Sequence, residues 1–171
     1  PREGAGPLGK WFDTVLEDDL LGQKSWEKAE SEMLRQCAQE AVRASGMPET
    51  EIQAFLSGDL NDQIIASGFC ARGLKAPFLG LYGACSTFVQ GLVLASALMD
   101  GEQLENALVG ASSHFCTAER QYRMPLEMGT QRTPSAQWTA TAAGCAVLRR
   151  AAAGGKGLRI TAGTLGRVVD Y

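Results

Sequence analysis

Apolar or small residues recur at helical spacing from Trp26 to Ala44: Trp26, Ala29, Met33, Cys37, Ala41 and Ala44 share one face of the helix they predict. Ser25 stands where it can cap the start, and Gly46 followed by Pro48 supplies the stop, since glycine accepts a left-handed turn and proline lacks the next amide donor. The pattern then shortens. Ile52 to Ser57 reads as a buried strand closed by a turn at Gly58 and Asp59, and Asp62 to Leu74 as a second helix. Pro77 to Tyr82 is a second strand, ended by Gly83. Cys85 to Met99 reads as a buried helix stopped by Asp100 and Gly101. Ala107 to Ala111 is a third strand, and a polar segment with His114, Glu119, Arg120 and Arg123 opens a long loop. Two final strands, Thr139 to Leu148 and Gly157 to Thr164, form a hairpin through Gly154 and Gly155.

This alternation predicts an α/β fold, a mixed sheet covered by helices, with parallel strands wherever a helix carries the crossover. Glycines 4, 6 and 9 and prolines 1 and 7 make the beginning irregular, and residues 1–24 are assigned to that segment. With 171 residues and 45% hydrophobic side chains, one domain spanning 1–171 is expected.

Composition removes several function classes. The net charge is -3 and the 16 Lys and Arg are scattered, so nothing resembles the basic stripe that tracks a phosphate backbone, and nucleic acid is not expected as a partner. The longest uncharged stretch, Ala76 to Met99, is broken by Pro77, Ser86, Thr87, Gln90 and glycines, which makes it a poor membrane span. The first ten residues lack the layout of a signal peptide, so a soluble, cytosolic chain is expected. Five cysteines are spread without paired spacing and His114 is the one histidine, so thiols should be reduced and no metal site is expected.

Candidate chemistry starts at Phe78-Leu79-Gly80-Leu81-Tyr82-Gly83-Ala84-Cys85-Ser86-Thr87, which delivers a cysteine from a strand onto a helix start. Amides of a first helical turn lack intrahelical acceptors and favour a thiolate or carboxylate. A cysteine after a glycine is otherwise a packing residue. The segment from His114 to Arg123 offers an imidazole, a carboxylate and two guanidinium groups. Arg120 and Arg123 could hold a carboxylate with paired hydrogen bonds; alternatively Arg120 pairs with Glu119 or another neighbour on a solvated face. His114 has three readings: a ligand carboxylate, the Cys85 sulfur, or a buried carbonyl. Tyr82, Phe88 and Phe115 could stack on an aromatic ring or simply fill the core.

The strand, Gly83-Ala84-Cys85-Ser86-Thr87 and the following helix resemble the nucleophile elbow of thiolases and ketoacyl synthase III enzymes. A closer resemblance, to the stage V sporulation protein AD family, covers nearly the whole chain. It is carried by Gly6-Pro7-Leu8-Gly9, Phe12-Asp13, Ser25-Trp26-Glu27, Gly58-Asp59-Leu60, Pro77-Phe78-Leu79, Gly83 to Thr87, Ser112-Ser113-His114, Thr117 to Gln121 and Arg123. Phe115 and Met124 stand where that family has Asn and Tyr, and Asn61-Asp62-Gln63 replaces its Leu, Asn, Gln.

The resemblance implies a thiolase-like fold with a mostly parallel five-stranded sheet, this chain being one of two similar halves. It implies a protein that binds pyridine-2,6-dicarboxylate (dipicolinate) without catalysis and helps deliver it, with calcium, into the developing bacterial spore. No resident cofactor is implied. Cys85 falls at the thiolase nucleophile position, and Cys85, Ser86, Thr87, His114, Thr117, Glu119, Arg120 and Arg123 are the implied ligand residues. The implied partners are membrane proteins of the stage V sporulation A group and a second copy of the chain, at the cytoplasmic side of the spore inner membrane. The alternative is an acyl-transferring enzyme that uses Cys85.

Overall fold

A computed structural model of the chain describes residues 3–122, 139–151, 157–167 and 169. The first long element, α1 (Trp26–Ser45), begins and ends as its sequence predicts: the Ser25 hydroxyl accepts from Lys28 N–H, and Gly46 closes the helix at φ 70°. After it come β1 (Phe55–Asp59), α2 (Ile65–Gly73), β2 (Phe78–Gly80), α3 (Thr87–Asp100), β3 (Asn106–Ser113), α4 (Phe115–Tyr122) and β4 (Ala142–Arg149).

The strands form one sheet in the order β2-β1-β3-β4. β1 runs parallel to both β2 and β3, as helix-borne crossovers require, and β4 runs antiparallel to β3. Helices cover both faces. Leu34, Ala38 and Val42 of α1 meet Cys70 and Ala71 of α2 over Phe55 and Leu108, while Ala95 and Met99 of α3 pack on Leu56, Leu81 and Val109. The strands divide these residues by alternation, even positions of β3 facing α1 and odd positions facing α3. Burying Phe55 or Leu34, each fully inaccessible, contributes about 1.5–3 kcal/mol.

The fold class agrees with the sequence reading, and the differences are local. β1 includes Gly58 and Asp59, which were expected to form its turn. A Cβ at Gly58 would stand 2.1 Å from the Leu81 carbonyl oxygen, so this glycine permits a close backbone approach. The turn falls later, at Asp62 and Ile64 with φ 55° and 54°, and α2 therefore starts at Ile65. α3 is half-buried: it hides Thr87, Gly91, Ala95 and Met99 on one face and leaves Val89 60% exposed. The segment expected as a long loop is helix α4 up to Tyr122. The expected hairpin partner of β4 carries no strand; residues 157–164 are irregular, and β4 takes β3 as its partner. Among the described residues the sheet therefore has four strands, one fewer than expected. Gly154 and Gly155 lie outside the described residues.

Candidate functional site

In parallel α/β sheets, ligands gather at the carboxyl ends of the strands. Here that edge carries Asp59, the chain leaving β2 toward Cys85, and Ser112 and Ser113. Strand alternation splits it into two faces.

On the α3 face, Gly83 leads into a single 3-10 turn, Ala84–Ser86, that runs directly into α3. Ala84 adopts φ 43°, a left-handed conformation that a non-glycine residue holds only when its surroundings enforce it. The Asp62 carboxylate supplies that enforcement by accepting from Ala84 N–H at 2.8 Å. Cys85 is consequently presented outward, exposed, at the wall of an open cavity of about 370 Å³. The other walls are chiefly Leu60, Ala84, Phe88, Ala111, Ala142 and Ala143, and among the described residues no Lys, Arg or His lines it. Ser86 turns its hydroxyl back to the Gly83 carbonyl at 2.7 Å, and Thr87 is buried with its Oγ1 unpartnered. Of the aromatic candidates, Phe88 lines the cavity, whereas Tyr82 is 68% exposed.

On the α1 face, α4 brings the remaining candidates against α1. His114 is buried, its Nε2 bonded to the Asp19 carbonyl at 2.7 Å and its Nδ1 accepting from Cys116 N–H at 3.2 Å. A carbonyl can only accept, so the ring proton sits on Nε2. The ring also stacks on Trp26 at 6.4 Å. His114 thus ties the irregular amino-terminal segment to the sheet, the third of its sequence readings. His114→Ala should cost about 1–2 kcal/mol through the unpaired carbonyl and amide left behind. Proteolysis of the segment around residues 12–22 should accelerate with it; an unchanged cleavage rate would deny His114 this tethering role.

Arg120 is ion-paired with Glu27 across the α1–α4 contact, not with Glu119, and lies over the Trp26 ring at 6.0 Å. Burial would raise the Glu27 carboxyl, but its backbone hydrogen bond and the Arg120 guanidinium outweigh that and hold it below the usual range. Thr117 donates to the His114 carbonyl at 2.9 Å, and the buried Glu119 accepts from Thr139 Oγ1 at 3.1 Å. Arg123, the other guanidinium candidate, lies outside the described residues. The structure therefore brings Cys85 and Phe88 to one cavity that His114, Thr117, Glu119 and Arg120 do not line, and it ties His114, Thr117 and Arg120 to α1 or the amino-terminal segment instead.

Three residues outside the sequence candidates shape the site. Asp62 holds the elbow. Glu30 of α1 is buried, accepts from Ser112 Oγ at 2.9 Å and stands 3.4 Å from Thr117 Oγ1, whose one proton it shares with the nearer His114 carbonyl. Burial raises its carboxyl to about 7, against the pull of those hydroxyls. Asp59 is buried beside it and is also raised, chiefly by burial. A signal for Glu30 exists in the sequence, because it shares the helical spacing of Trp26, Met33 and Cys37 and so puts a carboxylate on the apolar face.

Among the described residues, no group of three or more His, Cys, Asp or Glu is placed to hold a metal ion, and no helix is long and apolar enough to cross a membrane.

Comparison with known proteins agrees with this geometry. The chain aligns with solved condensing-enzyme folds: a Xanthomonas campestris OleA with cerulenin bound (TM-score 0.57, 16% identity, 71% of this chain and 40% of that one). Another is the priming β-ketosynthase of the R1128 polyketide pathway (TM-score 0.53, 18% identity, 71% and 35%). Identities this low establish the thiolase-like fold alone. The stage V sporulation protein AD of Bacillus subtilis (strain 168) is 39% identical over 170 residues, covering 99% of this chain and 49% of that protein, so the chain spans about half the length of this relative. The sequence model for stage V sporulation protein AD matches residues 1–171, and the chain belongs to that family.

Proposed function

We propose that this chain is part of a non-catalytic dipicolinate-binding protein that assists uptake of dipicolinate and calcium into the developing spore. Family membership supports the sporulation role, and one structural observation speaks against His114 as the base of a condensation at Cys85. His114, the sole imidazole in the sequence, has both ring nitrogens committed to backbone groups on the face away from Cys85. A condensation at Cys85 needs a general base within reach of the reacting atoms, and this imidazole is not offered to it.

The cavity beside Cys85 is the seat we assign to the ligand. Its volume accommodates a single flat ring, and Phe88 and Leu60 offer apolar surface to the ring faces. Among the described residues the walls carry no Lys or Arg, a lining that does not favour a free dianion. Calcium chelated by the two carboxylates cancels that charge, which suits these walls, and calcium enters the reading only as cargo. In the assembled protein the partners are a second copy of the chain and membrane proteins of the stage V sporulation A group, with the protein peripheral on the cytoplasmic side of the spore inner membrane.

Calorimetric titration of dipicolinate, with and without calcium, tests this assignment. Ala111→Phe, which fills the cavity, should weaken binding at least tenfold. Arg120→Ala should weaken it less. Its exposed pair with Glu27 contributes about 1 kcal/mol or less to stability, so any loss of binding in that variant is not a loss of fold. Unaltered affinity in Ala111→Phe would remove the ligand from the Cys85 cavity.

A second reading is favoured by the same exposed thiol and apolar walls: acyl transfer through Cys85, in which the sulfur attacks a thioester carbonyl and the departing thiol carries off the proton. It requires a mass increase on Cys85 after incubation with acyl-coenzyme A, absent in Cys85→Ala.

A further inference from the structure

At the carboxyl edge of the sheet, beneath α1, lies a small polar cavity of about 10 Å³, room for about one water molecule. Its polar lining is Glu27, Glu30, Asp59, Asn61, Gln63 and Thr117, beside Ile65 and Ala66, and among the described residues no Lys or Arg lines it. Three carboxylates thus border one small cavity, and Glu27 among them is engaged by Arg120. The Asp59 Oδ2 and Asn61 Oδ1 atoms are buried without a partner. Two neighbouring buried carboxylates cannot both be charged cheaply without a cation, and one proton between them relieves the repulsion.

The same carboxylate reaches the elbow. Asp59 Oδ1 accepts from Gln63 N–H at 3.2 Å, and the Asp59 carbonyl accepts from Asp62 N–H at 3.1 Å. Asp62 in turn fixes Ala84, the residue before Cys85. Glu30 and Asp59 therefore share one cavity wall, and from Asp59 a run of hydrogen bonds leads through the 60–63 turn to Ala84, the residue before Cys85.

We propose that Glu30 and Asp59 form a proton-linked clasp whose charge state sets the geometry of the Cys85 elbow. The clasp rests on the reading of the Cys85 cavity as the functional site, and it adds regulation of that site by pH. Every group facing Glu30 takes part: Glu27 on its own helix, Asp59 from β1 with Asp62 behind it, Ser112 from β3, and Thr117 and the Glu27-bound Arg120 from α4. With the proton in place, Glu30 is a neutral partner for the two hydroxyls. Once it is lost, a second negative charge stands beside Asp59 and strains the turn that holds Ala84.

The sign of the pH dependence follows from the raised Glu30 carboxyl, about 7 in the folded chain against 4.5 for the ordinary group. The folded state then holds more protons than the unfolded state between those values, so stability is fully present below about 4.5 and falls as pH rises toward 7. Asp59 adds to the same trend, while the lowered Glu27 acts oppositely and only in more acidic solution.

The test needs no ligand, so it stands whether or not dipicolinate binds. Thermal unfolding is followed from pH 5 to pH 8, and the rate of Cys85 alkylation by iodoacetamide is read peptide by peptide over the same range. In the parent, the folding equilibrium constant should fall by up to about tenfold per pH unit below pH 7 and level off above it. Glu30→Gln should flatten this slope, and the ratio of its Cys85 alkylation rate to the parent's should change across pH 7. Should that variant fail to fold, the parent alone must lose a protonated-carboxyl infrared band between pH 6 and 8, and Asp59→Asn must shift the pH of that loss. A parental slope retained in Glu30→Gln, a rate ratio constant with pH, or the missing infrared change each overturns the proposal.

Discussion

Gly58→Ala is expected to destabilise the chain by about 3 kcal/mol, far more than a methyl group costs on an open strand. Its Cβ would lie 2.1 Å from the Leu81 carbonyl oxygen and 3.0 Å from Thr87 Cγ2. Neither neighbour can yield alone. Leu81 N–H donates to the Ser57 carbonyl at 2.9 Å, so the chain leaving β2 is pinned beside β1, and Thr87 opens α3. Relief has to come from moving the segment that carries Cys85. Urea unfolding followed by tryptophan fluorescence should show the loss, and peptide-resolved alkylation should show a changed rate at Cys85 with little change at the distant Cys37. A stability within 0.5 kcal/mol of the parent, taken as the usual range for a harmless substitution, would mean that the two backbones are not held this close.

The second large effect is expected at Asp62, whose carboxylate accepts from Ala84 N–H while its own backbone is left-handed. Asp62→Ala removes the acceptor, leaves that amide unpaired, and puts alanine at φ 55°, a conformation that Asp and Asn tolerate better. Together these should cost about 2–3 kcal/mol. Asp62→Asn retains both the acceptor oxygen and the tolerance for positive φ, and it should recover most of the stability. Equal behaviour of the two variants in thermal unfolding would refute a specific hold on the elbow.

The elements most legible in the sequence are those fixed by local chemistry. α1 has its capping serine, its apolar face and its terminating glycine within one continuous stretch, and it forms as read. Gly58 reads as a turn residue because a glycine in a sequence looks the same whether it turns the chain or admits a neighbouring backbone. That neighbour, Leu81, is 23 positions away, and no local pattern announces it. α4 was hidden for another reason: its eight residues are too few to show a clear helical period, and the helix is held in place through Thr117 and Arg120 against α1.

The candidate site was legible in part. The Cys85 elbow follows from strand, glycine and helix start in succession, and the structure places its thiol at an open cavity. The division between Cys85 and the His114 to Arg120 segment was not legible. It depends on which face each residue at the end of β3 presents, and that is fixed only when the strand takes its register in the sheet. Ser112 borders the Cys85 cavity together with Ala111 but turns its hydroxyl to Glu30 on the α1 face. Asp62, a departure from the family pattern and therefore easy to discount, is the residue that holds the elbow.

The most direct measurement is protection of a single thiol. Dipicolinate with calcium, at saturating concentration, should slow iodoacetamide alkylation of Cys85 at least fivefold while the buried Cys70 and the half-buried Cys116 react as before. Ligand bound to saturation by calorimetry with Cys85 alkylated at its unliganded rate would place the binding site elsewhere.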